Sequence, residues 1–294
     1  MLSLIETISF RGIPAIRLQT RQGSQAAVSL LGGQVLSWLP AGGRERLYLS
    51  EQAVFDGSRS IRGGVPVCFP QFSGLGDLPK HGLLRTLQWQ VCDQKCTDDY
   101  VWVSLEVTDN AETRALWPHA FRAELTIGVE ADHLGIELEI ENTGDQAFAF
   151  TGALHSYLRV SEVEAVALTG LYGLEYRDAA NGNVHKLDTA PELTVEGEVD
   201  RVYHQAKRQL LLDDGSHRIG IQQEGFPDVV VWNPWEELCR ELPDMSDADF
   251  RRMLCVESAI AQNPLTLEPG ESWWGRQALT DNPEMSTAVT EGEQ

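Results

Sequence analysis

Two segments of this chain place a proton-transfer group inside an apolar run. In Thr151-Gly152-Ala153-Leu154-His155-Ser156-Tyr157, His155 closes a stretch that otherwise reads as buried strand. An imidazole there needs a hydrogen-bond partner or a task, and its near-neutral titration suits it to donate a proton. In Met253-Leu254-Cys255-Val256-Glu257-Ser258-Ala259, Glu257 interrupts an equally apolar run. Burial raises a carboxylate's pKa, which is how a general base is commonly made. Each residue also has an ordinary alternative: a hydrogen-bonded structural histidine, and a glutamate facing water from an edge strand.

Two further segments carry cations. Arg62 precedes a Gly63-Gly64 pair in Ile61-Arg62-Gly63-Gly64-Val65-Pro66, where a ligand could approach the backbone closely. Lys80, His81 and Arg85 fall within Leu78-Pro79-Lys80-His81-Gly82-Leu83-Leu84-Arg85. A guanidinium fork suits a phosphate or a pair of sugar hydroxyls. A turn arginine and solvated loop charges are the alternatives. Asp200 stands beside Arg201, an arrangement more often a surface ion pair. Taken together these residues offer an acid, a base and a cationic grip for a small anionic substrate.

The scaffold that must position them reads as β. Val101, Val103, Leu105 and Val107 alternate with polar or amphipathic residues, as do Phe121–Val129 and Leu134–Ile140. Period two with one charged face predicts half-buried antiparallel strands, with a hairpin at Ala131-Asp132-His133. Strands are also expected at 26–31, 35–39, 46–49, 147–154, 165–168, 218–222, 229–232 and 253–258. Helical signals are confined to Asp109–Trp117, stopped by Pro118, and to Ser246–Arg252, where Ser246 and Asp249 have capping-box spacing. The pattern predicts an all-β sandwich or barrel occupying residues 1–280 as one domain. Residues 281–294 carry four acids, no bases and no aromatics, and are expected to form a flexible tail.

Composition narrows the function. Twenty-three Lys and Arg against 44 Asp and Glu give 23 − 44 = −21. Such a balance disfavours nucleic acid and anionic membrane surfaces, so any basic pocket must be local. No apolar run approaches the ~18 residues that span a bilayer, and the opening MLSLIETISF lacks the features of an export signal. Five irregularly spaced cysteines, with Cys92 and Cys96 an unmatched pair, predict buried free thiols, no zinc site and a cytoplasmic setting. The chain has no Walker loop, dinucleotide fingerprint, nucleophile elbow or H-E-x-x-H. No cofactor is expected.

The stretches IRGGVPVCFPQFSG (61–74), LPKHGLLR (78–85), TGALHSYLRV (151–160), DRVYH (200–204), VVVWNPW (229–235) and LCVESA (254–259) occur in a telling order. There the chain resembles the glucose-6-phosphate 1-epimerase (hexose-6-phosphate mutarotase) group of the galactose mutarotase-like superfamily. LLGGQVLSWLP at 30–40 resembles that group's opening, so the likeness spans nearly the whole chain. It implies an antiparallel β-supersandwich; a monomer is expected. It implies His155 as general acid and Glu257 as general base. By the same match Arg62, Lys80, Arg85 and Asp200 would contact substrate, and His81 would line the site. Departures from the group's pattern stand at Leu83, Leu84, Lys80 and Ser258. The implied reaction is exchange of the α and β anomers of a hexose 6-phosphate. An epimerase of unphosphorylated aldoses, a non-catalytic sugar-binding sandwich and a two-carboxylate glycosidase with Asp200 as second acid remain as alternatives.

Overall fold

The computed structural model describes residues 2–283. The alternating runs form the strands Val101–Thr108, Phe121–Val129 and His133–Asn142, paired antiparallel along their length. Val103, Leu105, Leu125, Ile127, Leu138 and Ile140 point inward and are buried, as the period of two requires. These strands lie in a nine-stranded sheet that also holds Ser272–Asp281, Arg218–Glu224 and the edge strand Gln90–Cys96.

Opposite it lies an eight-stranded sheet. Its order is Val184–Leu187, Glu175–Asp178, Val199–Tyr203, Asp228–Asn233, Met253–Leu267, Phe148–Leu154, Val67–Cys68, with Tyr157–Arg159 also paired to Met253–Leu267. One body of buried side chains, including Phe121, Ile140, Phe150, Leu154, Val231 and Val256, joins the two sheets. Each such side chain stabilises the sandwich by roughly 1.5–3 kcal/mol when fully buried. A four-stranded sheet, Leu4–Phe10, Ile13–Gln19, Gln25–Ser29, Val35–Leu39, completes the architecture. All these pairings are antiparallel, so the fold is the expected all-β supersandwich with a few short helices.

Several local expectations change. Residues 46–49 make no strand, because their backbone bonds are divided among three neighbours: Arg46 donates to Trp38, Tyr48 donates to Tyr157, and Gly64 donates to Tyr48. Near 165 the chain forms a short 3-10 turn, Val163–Ala165, before the strand Ala167–Thr169. Ser246–Arg252 reduces to the 3-10 turn Asp249–Arg252, although the Asp249 carboxylate does accept from the Ser246 amide at 3.0 Å. The helix Ala111–Leu116 is capped by Asn110, whose side chain accepts from Glu112 and Thr113. The expected tail begins too early: Asp281 ends the strand Ser272–Asp281 and forms a nearly buried ion pair with Arg46 at 2.6 Å. The remainder of that stretch, 284–294, lies outside the described residues.

The Gly63-Gly64 pair also has a different role from close approach of a ligand. Both glycines have positive φ, and a Cβ on Gly64 would lie 2.1 Å from the Val35 carbonyl oxygen. At Gly63 it would meet the Tyr48 carbonyl at 2.4 Å. The chain's own backbone fills the space, pinning the Arg62 segment between the strand Val35–Leu39 and the 46–49 segment. Gly64→Ala combines left-handed strain with a backbone clash and is expected to destabilise the fold by about 2–4 kcal/mol. Chemical denaturation would measure this, and an unchanged midpoint would refute it.

Candidate active site

Cross-strand registry on the eight-stranded sheet builds a floor from two rows. In one, Arg177 pairs with Val202, Val202 with Val230, and Val230 with Glu257. In the other, Asp200 pairs with Trp232, Trp232 with Cys255, and Cys255 with Tyr157. The rows are two residues apart along each strand, so they share one face. Above them is a cavity of about 390 Å³, with loop residues Arg62, Phe72, Lys80, His81 and Arg85 along its wall. All seven residues singled out in the sequence, Arg62, Lys80, His81, Arg85, His155, Asp200 and Glu257, line it.

His155 and Glu257 meet at the bottom. Leu154 pairs with Ser258, which sets the two residues side by side, and Nδ1 of His155 lies 3.4 Å from Oε1 of Glu257. Among the described residues, Nδ1 and the second carboxylate oxygen Oε2 have no hydrogen-bond partner. The imidazole stacks on Tyr157 at 4.8 Å and meets Trp232 and His81 edge-on. Behind the floor, Gln277 of the facing sheet reaches both segments. Ser156 donates to its Oε1, while its Nε2 donates to Ser258 Oγ at 2.9 Å and to the Val256 carbonyl at 3.1 Å. Ser156 and Ser258 are the residues that follow His155 and Glu257.

Burial sets the electrostatics. It pushes His155 well below the ordinary imidazole value, helped by Arg85 and Arg62, and pushes Glu257 well above the ordinary carboxylate value, helped by Asp200. Both shifts disfavour charge. A neutral imidazole with a carboxylic acid, and an imidazolium with a carboxylate, nonetheless hold the same single proton, so the pair titrates as a unit. Burial and the neighbouring Arg85 and Lys80 push His81 down to about 2. Its Nδ1 accepts from the Ser73 amide, which makes it a neutral wall rather than a proton source.

The cations differ in how free they are. Arg62 donates from Nε to Asp244 at 3.1 Å and from a terminal nitrogen to Tyr157 at 3.0 Å. Arg85 donates to the Lys80 carbonyl, and Arg177 to Asn183. Among the described residues neither these two nor Lys80 forms an ion pair, whereas Arg62 does. Asp200 is raised by burial and drawn back by Arg177 and Lys80. A larger cleft of about 890 Å³ lies elsewhere, but its Arg46 is matched by Asp281 and its Arg251 by Glu162 and Glu164.

Sequence reading missed Arg177, Tyr157 and Trp232 as lining residues. Trp232 and Tyr157 stood inside the quoted stretches, while Arg177 carried no local signal. Of the five free cysteines Cys92 and Cys96 are exposed, against the expectation of burial, because their strand is a sheet edge. No helix of the described residues is long and apolar enough to cross a membrane.

A supersandwich whose concave sheet face holds a buried imidazole–carboxylate pair beneath sugar-sized space defines a carbohydrate-epimerase type of protein. The family model described as aldose 1-epimerase matches residues 14–280, and the chain belongs to that family. A protein of Cenchrus ciliaris, provisionally named glucose-6-phosphate 1-epimerase, is 34% identical over 290 residues, covering 95% of this chain and 88% of its own. One of Escherichia coli K12 with the same provisional name is 34% identical over 243 residues, covering 81% and 80%. The crystal structure of a Salmonella typhimurium protein described provisionally as a mutarotase superposes with a TM-score of 0.88 at 29% identity, covering 95% of this chain and 94% of that one.

Proposed function

We propose that the chain interconverts the α and β anomers of a hexose 6-phosphate, with D-glucose 6-phosphate as substrate. The observation that carries this is the 3.4 Å approach of His155 and Glu257 below three cations that lack an ion-pair partner among the described residues. The names of the relatives point the same way. Glu257, as carboxylate, takes the proton of the anomeric hydroxyl while protonated His155 gives its proton to the ring oxygen. The C1–O5 bond breaks, leaving a C1 aldehyde and a C5 hydroxyl. Rotation about C1–C2 presents the other carbonyl face, and the reverse transfers close the ring as the other anomer. The groups that exchange protons with the sugar come from one chain, so the proposed cycle calls for no second subunit, nucleic acid or membrane. A cytoplasmic setting, where sugar phosphates are metabolised, fits this assignment.

The first test is anomer exchange of glucose 6-phosphate followed by NMR against the spontaneous rate. Catalysed exchange supports the proposal, and a rate equal to the uncatalysed one rejects it. The pH profile of metal-free protein gives a sharper result. The active pair holds one proton. It gains a second as His155 protonates, and His155 is depressed, so the acid limb falls below the ordinary imidazole value. It loses its only proton as Glu257 ionises, and Glu257 is raised, so the alkaline limb falls above the ordinary carboxylate value. The expected profile is a bell with both limbs belonging to the pair. A single limb at the ordinary imidazole value would show that an independent histidine governs the rate.

A further inference from the structure

Cys255 stands two residues before Glu257 on the same sheet face, between Tyr157 and Trp232 in the cross-strand row. The proton-transfer cycle does not use it. Its Sγ, a ring nitrogen of His155 and a carboxylate oxygen of Glu257 nevertheless all lie within 4.8 Å of one another, and all three residues are buried. The 3.4 Å between His155 Nδ1 and Glu257 Oε1 is close to the spacing of two ligand atoms each about 2.0–2.2 Å from one tetrahedral ion. His155 Nδ1 and Glu257 Oε2 are buried without hydrogen-bond partners among the described residues. A nitrogen, a sulfur and a carboxylate oxygen form a three-ligand set, and the cavity that His155 and Glu257 line is the source of a fourth ligand. Thiolate and imidazole together select zinc-like ions over magnesium or calcium.

We propose that Cys255, His155 and Glu257 bind one soft divalent cation of the zinc class, and that its binding switches the enzyme off. The inhibitory half rests on the acid–base roles proposed for His155 and Glu257; the binding half does not. As the metal bonds to sulfur, nitrogen and oxygen form, the thiol proton and the proton of the His155–Glu257 pair leave to solvent. No electron is transferred. The metal then occupies the atoms that would exchange protons with the sugar.

The test uses the full chain after chelator treatment, titrated with Zn²⁺ by calorimetry and with Co²⁺ by absorbance while anomer exchange is followed. One ion per chain should bind, Co²⁺ should give tetrahedral bands with a thiolate charge-transfer band, and exchange should cease and return with EDTA. Cys255→Ser should lose the charge-transfer band and, relative to its own exchange rate without metal, need about tenfold or more Zn²⁺ for the same fractional inhibition. Cys255→Ala repeats the test should a buried hydroxyl disturb the strand. Replacing the exposed Cys92 and Cys96 with serine should change nothing. Absence of stoichiometric binding, or a Cys255 variant that binds and is inhibited like the parent, would overturn the proposal. If metal-free protein shows no exchange at all, the epimerase assignment fails while the cobalt spectrum still decides the site.

Discussion

Glu257→Gln is expected to lower catalysed anomer exchange by about 10²–10⁴-fold while leaving the fold at least as stable. The amide keeps the shape of the side chain but cannot take the proton of the anomeric hydroxyl. Stability moves the other way. Glu257 is buried with one oxygen unpartnered, and its pKa is raised, so the unfolded chain releases this proton more readily than the folded one. A raised carboxylate therefore costs stability as pH rises above its unfolded value, and the neutral amide removes that cost. The melting temperature at neutral pH should hold or increase as activity falls. His155→Asn should lose a similar factor, and the double variant little more, because the two groups act as a unit. NMR exchange rates for the three variants decide the matter. Near-parent exchange by Glu257→Gln would remove it from the chemistry.

The second large effect concerns the phosphate. A chain of net charge −21 repels a dianion, so recognition depends on local cations. Charge-assisted contacts contribute about 1.5–3 kcal/mol each, and two of them favour glucose 6-phosphate over glucose by roughly 10²–10⁴-fold in kcat/KM. The cations should not contribute alike. Arg62 is committed through two of its groups, and one of them holds Tyr157, on which His155 stacks. Arg62→Ala should therefore slow exchange of both sugars. Arg85 and Arg177 have no carboxylate partner among the described residues, and Arg85 Nε is buried without an acceptor. Arg85→Ala and Arg177→Ala should each erode the preference for the phosphorylated sugar by about 10–10²-fold and spare slow turnover of glucose. Equal kcat/KM for the two sugars in the parent protein would refute the phosphate assignment and favour an epimerase of free aldoses.

How much of this was legible depended on where each element finds its partners. The strands from Val101 to Asn142 announce themselves because one face is buried along their length. Gln90–Cys96 is exposed throughout and is a strand only because Val101–Thr108 supplies its hydrogen bonds, so no alternation marks it. Met253–Leu267 reads as ending at Ser258, yet it continues past a register shift opposite Phe150–Gly152 that accommodates Pro264. The acid, the base and three cations stood in recognisable stretches. Arg177 did not, since its place in the cavity comes from registry with Val202 across a short strand with little apolar content. Gln277 was hidden for the same reason: its importance lies in what faces it, not in its neighbours along the chain.

That glutamine makes the chemistry indivisible. Glu257 belongs to the eight-stranded sheet and His155 to the short link between two of its strands, but Ser156 and Ser258 beside them are tied through Gln277, which belongs to the other sheet. Each sheet alone lacks something: one has the proposed acid and base without their spacer, the other has the spacer with nothing to space. A fragment carrying the entire eight-stranded sheet would thus hold every proton-transfer group and still lack the arrangement that lets them work together. On the proposed mechanism, catalytic competence is a property of the closed sandwich, acquired only when its two halves meet.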